Sequence, residues 1–178
     1  TEEGLDKIPR GIELARAIDE KGIDWKEYVN QEALEYLQST SDHTIILSSH
    51  HSRNRGDNEV DTEGAEFFQH EKILRSGLGS LAKEVMVTAE SKKAHMADIQ
   101  ERFKEQLIVM VDDEQDNIVE AKEFGFETVW FRTPKNLMQP RGMEGYPQHV
   151  EGEHVTSFGK FLDSLEGHKA EFAKRSRE

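Results

Sequence analysis

Two adjacent carboxylates, Asp112 and Asp113, follow the most apolar run in the chain, Leu107-Ile108-Val109-Met110-Val111. Charged groups at the end of a buried strand are costly unless solvent or a cation meets them. Mg²⁺ is the natural counterion, because it takes oxygen ligands and accepts one or two carboxylates completed by water and phosphate. The plainer alternative is a strand-to-helix turn in which Asp113 or Asp116 caps the helix. A second apolar run, Thr44-Ile45-Ile46-Leu47, ends in Ser48-Ser49 and is followed by His50-His51. Adjacent residues of an extended segment point apart, so this histidine pair is a poor chelate. Neither His-x-x-x-His nor a helical Glu-x-x-His pair occurs among the eight histidines, so a zinc site is not expected. His50 or Arg53 could contact a substrate phosphate from this loop, against the alternative of a solvated loop.

The elements that must position these groups alternate in type. Helices are predicted at 9–20, 25–38, 63–81 with breaks at Gly77 and Gly79, 91–105, about 116–124, and from the Thr156/Ser157 cap onward. Strands are predicted at 44–47, 84–88, 107–111 and 128–131, where short β-branched runs lack helical spacing. Polar residues 50–62 read as an exposed loop. Residues 133–154, which hold three of the four prolines, read as a long surface loop. The charged tail from 166 to 178 is expected to fray. Such alternation implies a parallel sheet covered on both faces, in one α/β domain over residues 1–165. Ligands of such sheets bind outside the carboxyl ends of the strands, where Ser48, Ser49, Asp112 and Asp113 all fall.

The stretch LIVMVDDEQDNIVEAKEFGFETVWF, residues 107–131, resembles the fourth motif of haloacid-dehalogenase-like phosphatases. Asp112, Asp113, Asn117, Ile118, Ala121 and Gly125 match that pattern in order. By this resemblance the fold is a three-layer, Rossmann-like parallel sheet with helices on both faces and no large cap domain. Asp112 and Asp113 would hold Mg²⁺, and Asn117 would brace their loop. Ser48 or Ser49 would bind phosphoryl oxygens through hydroxyl and backbone amide. The resemblance also asks for a lysine near the start of the helix before the acidic pair, where its charge offsets that of the transition state. Ser91-Lys92-Lys93 supplies it, and the spacing Ser91-Lys92-x-x-His95-Met96 looks like the magnesium-dependent phosphatase branch, favouring Lys92 over Lys93. The expected substrate-binding set is therefore Ser48, Ser49, His50 and Lys92.

One part of the pattern is missing. These phosphatases attack with an Asp at the end of an apolar first strand, in an Asp-x-Asp motif, and no Asp-x-Asp occurs here. Covalent catalysis of this kind needs that carboxylate and a second acid for the leaving group. Three explanations compete: the strand was removed by processing ahead of Thr1, another chain supplies it, or the protein is a degenerate relative. A central strand left out of a sheet leaves unpaired backbone edges, which favours the first two. The function expected is Mg²⁺-dependent phosphomonoester hydrolysis through an aspartyl-phosphate, with the strand supplied from elsewhere. The alternative is an inactive domain serving as a binding or assembly module.

Composition narrows the partners. The net charge of −13, from 36 acidic and 23 basic residues, repels nucleic-acid phosphates and anionic membranes. No apolar run approaches the roughly 20 residues that span a bilayer. A soluble, intracellular protein acting on a phosphorylated substrate is the expectation. With no cysteines, thiolate metal sites and disulfides are excluded.

Overall fold

The computed structural model describes residues 10–22, 24–49, 62–88, 91–132 and 155–177. His50, Arg53, residues 50–61 of the loop expected at 50–62, and the loop expected at 133–154 lie outside the described residues. The chain divides into two compact units, Thr1–Lys92 and Lys93–Glu178.

In the first unit, α1 (Arg10–Glu20) is followed by a 3-10 turn (Trp25–Tyr28), α2 (Gln31–Ser39), β1 (Ile45–Ser49), α3 (Thr62–Arg75), a one-turn α4 (Leu78–Leu81) and β2 (Glu84–Thr88). The single helix expected over 25–38 is divided in two by its capping residues. Asp24 accepts from the Lys26 amide at 2.9 Å, and Asn30 from the Ala33 amide at 3.0 Å. Asn30 thereby starts a new helix with an extended residue at the junction. The break after α3 falls at Gly77, whose φ of 83° is readily adopted by glycine. β1 and β2 pair in parallel, from Ile45 opposite Glu84 to Ser49 opposite Thr88. The start of the ladder is fixed by the Thr44 carbonyl, which accepts from the Lys83 and Glu84 amides. Helix α3 packs against α1, with Ala15 and Ile73 buried. Arg75 fastens the pair. Its guanidinium reaches Asp19 on α1 and Glu71 on α3, and lies 5.8 Å over the Trp25 ring.

In the second unit, α5 (Lys93–Arg102) leads to β3 (Val109–Asp112), α6 (Gln115–Glu123), β4 (Glu127–Trp130) and α7 (Phe158–Arg175). β3 and β4 are parallel, with Val109 opposite Glu127 and Asp112 opposite Trp130. Val155 extends the arrangement by a parallel bridge to Phe131. Helix α6 ends before Gly125, which adopts φ 76° and turns the chain into β4. The core joins Met96 and Ile99 of α5, Ile118 and Ala121 of α6, Phe126 and Val129, and Phe158, Phe161 and Leu165 of α7. Phe158 and Phe161 pack ring against ring, with centroids 4.9 Å apart. Burying one such side chain contributes about 1.5–3 kcal/mol.

The tail expected to fray from residue 166 is instead helical to Arg175. Ser157 caps the start of α7 by accepting from the Lys160 amide. Glu166–Lys169 and Glu171–Arg175 pair along its surface. His168 and Arg175 both reach Glu127 at the start of β4, at 3.3 and 3.2 Å. Charge alternation that reads as solvated tail is thus a helix whose ionic face docks on the strand start.

The fold is mixed α/β. Among the described residues the strands form two two-stranded parallel sheets, where the sequence pattern implied a single sheet. Alternation of strand and helix demands parallel neighbours joined by crossovers; it does not require that both pairs share one ladder.

Candidate functional site

The second unit holds the acidic pair. Asp112 is the last residue of β3 and is buried, 7% exposed. Its Oδ1 accepts from the Glu114 amide at 2.8 Å, so the carboxylate is oriented by the turn it closes. Asp113 follows in the turn and is exposed. Its carbonyl accepts from the Trp130 indole at 3.1 Å, which ties the turn to the end of β4. Asn117, buried one helical turn on, donates to the Glu114 carboxylate at 3.2 Å. The loop is therefore braced from three directions. The strand carries it, α6 holds Glu114, and β4 brings up the indole.

Both carboxylates offer hard oxygen at a strand's carboxyl end, the donor chemistry Mg²⁺ takes. Among the described residues no group of three or more His, Asp or Glu side chains is placed to hold a metal ion. A cation here would be held by the pair, with water and a ligand's oxygens completing its shell, and that suits Mg²⁺ better than Zn²⁺.

The first unit holds the serines. Both lie within β1 and extend it beyond the expected end at Leu47. Successive strand residues face opposite sides, so the two hydroxyls have different surroundings. The Ser48 hydroxyl donates to Oε1 of Gln69 on α3 at 3.1 Å. Ser48 thus fastens strand to helix, and Ser49 opposite Thr88 is the better candidate anion donor.

Lys92 directly precedes α5 and closes the first unit. Lys93 opens the second unit and is committed elsewhere: its ammonium meets Glu123 on α6 at 2.8 Å. That hydrogen bond and charge hold the Lys93 ammonium above the ordinary lysine pKa. Of the two lysines, Lys93 clamps α5 to α6, and Lys92 is the one the Ser91-Lys92-x-x-His95-Met96 spacing favours for the role the resemblance implies.

Sequence reasoning missed three contributors: Glu114, Trp130 and Gln69. Glu114 stood in plain view beside the acidic pair. Trp130 falls within the strand expected at 128–131, and nothing in a linear pattern links residue 69 to residue 48. No helix among the described residues is long and apolar enough to cross a membrane. No protein-family model, curated protein or solved structure matches the chain.

Proposed function

We propose that the chain is a domain of a Mg²⁺-dependent phosphomonoester hydrolase of the haloacid-dehalogenase type, active when the nucleophilic strand is supplied from elsewhere. The observation that supports it best is the grouping of strands. Two parallel pairs each close on residues this chemistry uses, serines on β1 and carboxylates on β3. An apolar strand supplied from elsewhere would carry the missing carboxylate. It would also cover backbone edges that two-stranded sheets leave open.

In this reading the incoming strand ends in Asp-x-Asp. Its first carboxylate attacks phosphorus as the ester P–O bond breaks, and the second acid protonates the departing alcohol. Water then cleaves the aspartyl-phosphate. Bound at Asp112 and Asp113, Mg²⁺ would neutralise the phosphate charge. Ser49 donates to phosphoryl oxygens, and the Lys92 ammonium stabilises charge building on them.

The competing reading, a non-catalytic binding or assembly module, draws on the missing nucleophile and the strongly acidic composition. The discriminating measurement is release of nitrophenol from para-nitrophenyl phosphate, with and without Mg²⁺, by the protein as its gene encodes it. An Asp112→Asn variant runs beside it. Metal-dependent release that the variant loses supports the hydrolase. Absence of any Mg²⁺-dependent release overturns it and leaves the module.

A further inference from the structure

We infer that Arg132 is an anion-binding residue for the phosphoryl group at the acidic turn; this rests on the phosphohydrolase reading above. The register places Trp130 opposite Asp112, and the Phe131 amide donates to the Asp112 carbonyl at 2.8 Å. Arg132 is therefore the next residue out on the same carboxyl edge of the sheet. Its backbone is fastened to Val155, whose carbonyl accepts from the Arg132 amide at 2.9 Å. The Val155 amide in turn donates to the Trp130 carbonyl, also at 2.9 Å.

The guanidinium lies over an indole. Its Cζ lies 4.9 Å above the centre of the Trp130 ring. The same indole donates to the Asp113 carbonyl, so one side chain links the arginine to the acidic turn. Three of the described arginines meet carboxylates: Arg75 meets Asp19 and Glu71, Arg102 meets Asp98, and Arg175 meets Glu127 and Glu171. Among the described residues Arg132 pairs with no carboxylate and rests on an aromatic face instead. A guanidinium over an aromatic face keeps N–H groups with which to donate to a further acceptor. A planar fork of donors suits phosphate oxygens better than a point charge does. A cation at the acidic pair and a guanidinium beside it would bind different oxygens of one phosphoryl group.

The test uses the whole chain carrying Trp25→Phe, which leaves Trp130 as the sole indole of the two in the sequence. Inorganic phosphate is titrated in the presence of Mg²⁺, followed by indole emission and by calorimetry. Mg²⁺ alone is titrated separately. Arg132→Gln is expected to weaken phosphate binding by about tenfold or more, as loss of a charge-assisted contact does. Its Mg²⁺ affinity and unfolding midpoint should stay those of the parent. Arg132→Lys, which keeps the charge and loses the fork, is expected to fall between the two. Phosphate affinity unchanged in Arg132→Gln, with Mg²⁺ binding still dependent on Asp112, overturns this inference alone. A parent protein that binds neither Mg²⁺ nor phosphate overturns the phosphohydrolase reading and this inference together.

Discussion

β1 and β3 are both short apolar strands, each paired in parallel with the next strand after a helical crossover, yet they stand in different surroundings. Around β3 and β4, nine apolar side chains are buried: Met96, Ile99, Ile118, Ala121, Phe126, Val129, Phe158, Phe161 and Leu165. In the unit that holds β1 and β2, the described core has two, Ala15 and Ile73. Every residue of β1 is only half-buried. The acidic turn therefore sits on a packed base, and its carboxylate, carbonyl and helix cap each have a fixed partner. At the serine end, the Ser48 hydroxyl ties β1 to Gln69 of α3. A site gains precision from the packing under it, so the cation half should be preorganised and the serine half should depend on what completes the sheet.

The contrast breaks most visibly under truncation of the cores. Met96 is fully buried, and Met96→Ala is expected to cost about 2–5 kcal/mol, with Ile73→Ala at the low end of that range. Urea unfolding of both variants checks this; an equal or larger loss for Ile73→Ala would remove the distinction. The next effect is on binding. Asp112→Asn keeps an oxygen to accept from the Glu114 amide, so the turn should survive, while Mg²⁺ affinity by calorimetry falls about tenfold or more for want of the charge.

Smaller effects sharpen the comparison. Ser157→Ala removes the cap of α7 and is expected to cost about 1 kcal/mol, read as a lower thermal midpoint. Leu74 is 69% exposed on α3, and Leu74→Ser should stay within about 0.5 kcal/mol of the parent. The smallest is a pH effect in the first unit. The hydrogen bond from Arg75 holds the Asp19 carboxyl below its ordinary value of 3.8. A depressed carboxyl stabilises the fold above its unfolded value and loses that contribution as pH falls through the folded one. The Asp19–Arg75 contribution should thus be full at neutral pH and vanish only below about pH 3.8. Arg75→Gln should flatten that part of the urea midpoint measured from pH 7 to pH 3.

Several features were written in the linear pattern. Short runs rich in β-branched residues at 44–47, 84–88, 107–111 and 128–131 announce strands because their backbone and side chains suit the pleat. Asp112 and Asp113 announce a charged strand end, and Gly77 and Gly125 the breaks. Local chemistry also contained the split at Asn30, which reads as a cap once both sides of it are weighed. What tertiary packing added is the partner of Ser48 and of Lys93: Gln69 lies 21 residues from Ser48, and Glu123 lies 30 from Lys93. The same holds for Trp130 on the Asp113 carbonyl and for the docking of the charged end of α7 on Glu127. Hydrophobic periodicity specifies which backbone a segment prefers, since that choice is made residue by residue against water. Which side chain then receives a given hydroxyl, ammonium or indole depends on how segments pack, and no local preference encodes that.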